Sequence, residues 1–144
     1  MAEERGTASI VVAAAILAMM AVAAGAFGAH LVEAADPRAA RLLETGSRYQ
    51  LVHAVAILSI LAIRPAARLA IGTLLLGTVL FPLSLYALAA GAPLQVASLA
   101  PVGGLALLAG WGLVAAAAFS APRQPPENEP APPFPQPGRG SDRC

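Results

Sequence analysis

Residues 69–122 read LAIGTLLLGTVLFPLSLYALAAGAPLQVASLAPVGGLALLAGWGLVAAAAFSAP, 54 positions with no Asp, Glu, Lys, Arg or His. A helix rises about 1.5 Å per residue, so the stretch would measure roughly 80 Å as one rod. The hydrocarbon core of a bilayer is only about 30 Å thick. The stretch therefore crosses twice and turns at Gly91-Ala92-Pro93. A soluble helical bundle needs charged outer faces, so the sequence predicts a membrane protein.

The composition of the whole chain agrees with this location. Of its 144 residues, 12% are charged, about half of what is usual in soluble domains. The formal net charge of +1 argues against nucleic acid as a partner. We therefore expect one compact membrane domain whose main partner is the lipid bilayer.

Two further crossings precede the uncharged stretch. Residues 8–29 form an apolar segment that is longer than the apolar core of a cleaved signal peptide, so we interpret it as a retained helix. Residues 45–63 form the second crossing, which ends before Arg64-Pro65. Small residues spaced four apart predict a packing face on the first helix. They are Ala21, Gly25 and Ala29.

The segment between these two helices is polar. Asp36-Pro37 is typical of an N-cap followed by proline at the first helical position, and it predicts an interfacial helical segment before helix 2. Glu44 and Arg48 are four residues apart and can pair on a helix. Together with His30, at the end of the first helix, they are the candidates for the membrane interface.

The uncharged stretch itself divides into helices at 69–89 and 98–119. Pro82 leaves the carbonyl of Thr78 without a helical donor and predicts a kink in the third helix. Ser98 is the expected N-cap of the fourth helix. Glycines that let neighbouring helices approach closely predict packing along the fourth helix. They are Gly103, Gly104 and Gly110.

The predicted fold is therefore all-α, a four-transmembrane-helix domain over residues 1–120. Residues 121–144 hold eight prolines and are predicted to form a disordered tail. An even number of crossings leaves both termini and Arg64 on one side, with six arginines against three on the other. The positive-inside rule then predicts that both termini are cytoplasmic.

The helix at 45–63 carries the residues best suited to chemistry. His53 lies 11 residues before Arg64, roughly 16 Å along a helix and close to the bilayer midplane. An ionisable group at that depth is costly and normally faces a partner inside the bundle. Tyr49 lies one turn away and Gln50 is close by. These three residues form a candidate intramembrane polar site. In it, His53 either locks the bundle through a hydrogen bond or, together with Tyr49, relays protons or binds a polar ligand.

Other kinds of site find less support. His30 and His53 lie about half a membrane apart in depth and lack an obvious third ligand, so neither a metal nor a cofactor is predicted. Hydroxyl groups are present at Ser59, Thr78 and Ser84, but no His–acid pair accompanies them. We therefore predict no enzymatic activity.

Four segments, in the same order, resemble a known family. They are GAFGAH at 25–30, TGSRYQLVH at 45–53, GTVLF with SLY within 77–86, and PVGG with GW within 101–111. Together they resemble the small membrane proteins of domain-of-unknown-function family 423, which includes bacterial inner-membrane proteins of the YgdD type. The resemblance implies a multi-pass protein of the bacterial inner membrane, and it implies no activity.

Two hypotheses about function follow. The first is a non-enzymatic component that assembles with itself or with another membrane protein through its small-residue faces. The second is a small proton-linked carrier that uses His53 and Tyr49.

Overall fold

The computed structural model describes residues 2–120, and over that range it contains helices and no strand. Its four long helices are α1 (Ala2–Phe27), α2 (Pro37–Ile63), α3 (Arg68–Ala89) and α4 (Leu99–Phe119). A π-helical turn at Gly28–Val32 extends α1, and a 3₁₀ turn at Leu94–Ser98 leads into α4. All four helices are long and apolar enough to cross a membrane, which confirms the predicted fold class. The predicted disordered tail, 121–144, lies outside the described residues.

Helix α2 joins the predicted interfacial segment and the second crossing into one helix. Asp36 is its N-cap, since Oδ1 accepts hydrogen bonds from the backbone N–H groups of Arg38 and Ala39, both at 3.0 Å. The helix then continues for 27 residues, about 40 Å, which exceeds the hydrocarbon thickness. The polar segment therefore forms the first turns of α2, because no proline follows Pro37 to interrupt the helix.

The helices pack in chain order, with α1 on α2, α2 on α3 and α3 on α4. Helices α1 and α4 make no backbone contact with each other, so the four helices do not close into a ring. All four still contribute to one buried cluster, whose members are Ala14, Ile57, Leu61, Ile71, Leu74 and Leu107.

In the contact between α3 and α4, a leucine side chain of each helix packs against a glycine of the other. A Cβ added at Gly77 would lie 2.8 Å from Leu107, and one at Gly110 would lie 2.7 Å from Leu74. A Cβ at Gly103 would meet the backbone of Phe81. Gly104 faces away from this contact, with no atom within 4 Å of an added Cβ. The α3–α4 contact thus uses Gly103 and Gly110 within the chain itself.

The small-residue face of α1 is also used within the chain. Ala21 is buried, and a Cβ added at Gly25 would lie 3.1 Å from the Ser47 hydroxyl on α2. Ala29 is exposed, whereas Gly28 is buried beneath Leu43. The small-residue face of α1 therefore continues at Gly28 rather than at Ala29, and it packs against α2.

The structure describes the surroundings of Pro82 and Ser98 in the uncharged stretch, and the kink at Pro82 stays a prediction. Pro82 is buried inside α3, which continues as one helix to Ala89. Ser98 occupies the expected N-cap position of α4, but its side chain makes no capping hydrogen bond. Its hydroxyl instead donates to the carbonyl of Gln95 at 2.7 Å, because the preceding 3₁₀ turn runs directly into α4.

Two arginines that flank the α2–α3 loop bond to the outer helices. Arg64 Nη1 donates to the carbonyl of Ala117 near the end of α4 at 3.1 Å. Arg68 Nη2 donates to the Thr7 hydroxyl near the start of α1 at 2.9 Å. The start of α1 and the end of α4 therefore lie at the same end of the bundle as this loop.

Candidate functional site

His53 is buried on α2 and links that helix to α4. Its Nδ1 lies 2.7 Å from the carbonyl of Tyr49, and its Nε2 accepts a hydrogen bond from Trp111 Nε1 at 3.2 Å. A carbonyl only accepts, so Nδ1 carries the hydrogen, and an Nε2 that accepts carries none. This geometry describes a neutral imidazole with both nitrogens engaged. It bridges two helices whose backbones make no direct contact.

Aromatic rings surround the imidazole. Tyr49 stacks on His53 with ring centroids 6.1 Å apart and planes 9° apart. Phe81 on α3 lies 4.9 Å from the Tyr49 ring, and Trp111 meets His53 edge-on at 6.1 Å. We call these four residues the His53 cluster. Sequence reasoning selected Tyr49 and His53 but missed Phe81 and Trp111, since nothing local shows which way α3 and α4 are rotated.

A pocket of about 310 Å³ lies beside this cluster, in the gap between α2 and α4. The cluster residues line it together with Gly104, Leu107 and Leu108. Tyr49 and Trp111 are partly exposed at its mouth, which opens toward the surroundings of the helices. We refer to it as the α2–α4 pocket.

Gln50 belongs to a different contact from Tyr49 and His53. Its Oε1 accepts a hydrogen bond from the Tyr86 hydroxyl of α3 at 2.7 Å, beside Leu17 and Met20 of α1. Tyr86 packs over Gly46, where an added Cβ would lie 2.5 Å from the ring. Gln50 therefore faces a different side of α2 from Tyr49 and His53. Adjacent residues are about 100° apart around a helix, whereas residues four apart return to nearly the same face.

The candidates for the membrane interface lie toward the end of the bundle opposite the α2–α3 loop. Arg48 forms an exposed ion pair with Glu44 at 2.5 Å. His30 is exposed in the π-helical turn, and it does not line the groove of about 380 Å³ to which Glu44 contributes. Over residues 2–120, no group of three His, Cys, Asp or Glu side chains is placed to hold a metal ion.

Known proteins resemble this chain over most of its length. A family described as "Protein of unknown function (DUF423)" matches residues 24–104. A "UPF0382 membrane protein" of Haemophilus influenzae is 38% identical over 103 residues, which cover 68% of this chain and 83% of the relative. The "UPF0382 inner membrane protein YgdD" of Escherichia coli K12 is 40% identical over 118 residues, covering 77% and 89% respectively.

A third relative is less similar to this chain. A "UPF0382 membrane protein" of Staphylococcus epidermidis is 32% identical over 106 residues, covering 70% of this chain and 87% of the relative. No solved structure matches the chain. The names of these relatives state a membrane location and no activity.

Proposed function

This chain belongs to the DUF423 family of membrane proteins, and from that premise we propose that it is a non-enzymatic helical component of the bacterial inner membrane. In this proposal it assembles with itself or with another membrane protein through the outer faces of α1 and α4. The observation that carries the proposal is that α1 and α4 do not pack against each other. Each outer helix is covered by its own chain on one side only.

The outer faces of these two helices suit a membrane partner. Met19 on α1 and Leu108 on α4 are 65% and 70% exposed. Gly112 on α4 has no atom within 4 Å of an added Cβ, so a second helix has room to approach closely there. Gly25, Gly103 and Gly110 are already used inside the chain. Of the α4 glycines, Gly104 and Gly112 remain open for an intermolecular contact.

The environment of the hydroxyl groups supports a non-enzymatic role. Ser59, Thr78 and Ser84 each donate a hydrogen bond to a carbonyl of their own helix, at 3.0, 2.7 and 2.7 Å. A hydroxyl becomes a nucleophile when an adjacent base takes its proton. A backbone carbonyl does not supply that base.

The proposal includes an orientation with both termini in the cytoplasm. Arg64 and Arg68 flank the α2–α3 loop at the end of the bundle where α1 starts and α4 finishes. With four crossings, six of the nine arginines, three of them in the tail, are expected on this side, and cytoplasmic segments carry the excess of basic residues.

Cysteine cross-linking in native membranes tests the assembly. In a Cys144→Ser background, we expect Met19→Cys or Leu108→Cys to form cross-linked species with a short bifunctional maleimide. The matched controls are Val55→Cys on α2 and Leu76→Cys on α3, because these residues are 54% and 55% exposed but lie on the inner helices. Mass spectrometry of the products then identifies the partner as a second copy or another protein.

The control positions decide the outcome of this experiment. Cross-linking at α1 or α4 that clearly exceeds cross-linking at Val55 and Leu76 supports the proposal. Equal yields at all four positions indicate random collision in the membrane. The absence of any product at Met19 and Leu108 contradicts assembly through these faces.

A proton-linked carrier is the second candidate, because His53 lies near the midplane and lines an open pocket. The hydrogen bonds at both ring nitrogens weigh against it, since a relay needs a nitrogen that is free to exchange protons. We therefore expect purified protein in vesicles to dissipate an imposed pH gradient no faster than empty vesicles do. A protein-dependent flux that disappears in His53→Gln would instead favour the carrier.

A further inference from the structure

We propose that the α2–α4 pocket binds a small, uncharged ring compound that is dissolved in the bilayer and carries a carbonyl oxygen, as quinones do. The proposal rests on an aromatic-lined gap, a hydroxyl without a partner among the described residues and an unfilled glycine, all of which line one pocket. The pocket shares Leu108 with the exposed face of α4, but binding of a ligand within one chain does not depend on the proposed assembly.

The depth of the pocket restricts what can reach it. His53 is 11 residues before Arg64, so it lies roughly 16 Å from that membrane surface, about half the hydrocarbon thickness. Charged headgroups are strongly disfavoured at such a depth. None of the seven residues that line the pocket carries a formal charge when His53 is neutral, so the pocket offers no counter-ion either. The ligand is therefore uncharged and soluble in hydrocarbon.

The walls of the pocket favour a flat ring. Tyr49, Phe81 and Trp111 present aromatic surfaces at several angles, and offset or edge-on ring contacts add to apolar burial. An apolar cavity of about 150 Å³ is sufficient to bind benzene. A pocket of about 310 Å³ therefore has room for a compound of two fused rings.

The polar groups at the pocket select an oxygen acceptor. The imidazole and indole N–H groups of His53 and Trp111 are already engaged. The Tyr49 hydroxyl forms no hydrogen bond with any residue of the described chain, 2–120. A polar group without a partner is costly in hydrocarbon, so a ligand carbonyl that accepts from Tyr49 is stabilised there. Lipid acyl chains provide no acceptor at this depth.

The absence of a side chain at Gly104 leaves part of the space that the ligand would occupy. A Cβ added at this position meets no atom within 4 Å, although Gly104 lines the pocket. A larger side chain can therefore enter the pocket without displacing the backbone of α3. Gly112, on the same helix, is equally open but is not among the residues that line the pocket, which makes it a matched control.

The test uses Trp111, the only tryptophan in the sequence, as the reporter. The full chain is placed in phosphatidylcholine vesicles and titrated with 1,4-naphthoquinone, with correction for its absorbance. We expect saturable quenching of Trp111 fluorescence in the unmodified chain and in Gly112→Leu. In Gly104→Leu we expect only the linear quenching that random collision produces. Loss of one hydrogen bond in Tyr49→Phe is expected to weaken the saturable binding about fivefold.

Several outcomes would overturn the proposal. One is saturable quenching that is the same in Gly104→Leu as in the unmodified chain, and another is purely linear quenching in all variants. Vesicles with brominated acyl chains test the alternative occupant. Strong quenching by these lipids that Gly104→Leu removes and naphthoquinone does not relieve would assign the pocket to acyl chains. Circular dichroism verifies folding, and the smaller Gly104→Ala, expected to weaken binding partially, replaces Gly104→Leu if that variant does not fold.

Discussion

Gly103→Ala is expected to destabilise the protein by about 3 kcal/mol, at the upper end of what overpacking costs. The added Cβ would collide with the backbone of Phe81. A backbone inside a helix cannot rotate away as a flexible side chain can. The only relief is for α4 to move off α3, which also withdraws Leu107 from the surface of Gly77.

The adjacent glycine provides the control for this prediction. Gly104→Ala adds the same methyl group to the same helix but meets no atom within 4 Å, and alanine favours a helix over glycine by about 1 kcal/mol. We expect Gly104→Ala to be neutral or slightly stabilising. The measurement is the unfolding midpoint of both variants in mixed micelles titrated with sodium dodecyl sulfate. Equal midpoints would show that α3 and α4 do not approach each other as described.

His53→Ala is expected to cost about 3 kcal/mol, through the cavity that it opens and the indole N–H that it leaves without an acceptor. The side chain is buried, and its bond to Trp111 is a direct link from α2 to α4. Because no water is available in the hydrocarbon core to replace the lost acceptor, the penalty falls on the attachment of α4.

A double-mutant cycle with Trp111→Phe isolates the hydrogen bond from the cavity. Hydrogen bonds between helices in membranes contribute about 0.6 kcal/mol on average and about 1.7 kcal/mol at most, so we expect a coupling energy in that range. The unfolding free energies of the two single variants and the double variant provide it. Purely additive effects would show that His53 and Trp111 are not bonded and would weaken the description of His53 as a neutral link.

The prediction from sequence succeeded where the signal is local. The four helices follow from runs of apolar residues, and the Asp36 cap follows from a side chain that bonds its own helix within three residues. Ser98 takes the expected N-cap position of α4, but its hydroxyl bonds the carbonyl of Gln95 in the preceding 3₁₀ turn instead of capping the helix. Local patterns therefore placed the helices but not every hydrogen bond at their ends.

The candidate site was only partly visible in the sequence. Tyr49 and His53 share a helical face and were selected together, and the structure keeps them together. Gln50 was grouped with them but bonds Tyr86 on another face. Trp111 was not selected, because a tryptophan in an apolar helix looks the same whether it packs in the core or faces lipid. Its relation to His53 depends on the rotation of α4 about its own axis.

The sequence by itself determined that this protein spans the membrane with four helices and that its first and last helices begin and end on one side. These properties follow from hydropathy, helix length and the number of crossings, each of which is read along the chain. Only the tertiary structure decided that α1 and α4 stay apart and that His53 accepts a hydrogen bond from Trp111. It also decided that Gly103 packs against the backbone of α3, whereas Gly104 has free space beside it. The physical reason is that helix rotation and neighbour choice depend on how side chains fit across helices. In a chain where nearly every face is apolar, the sequence pattern hardly distinguishes those faces.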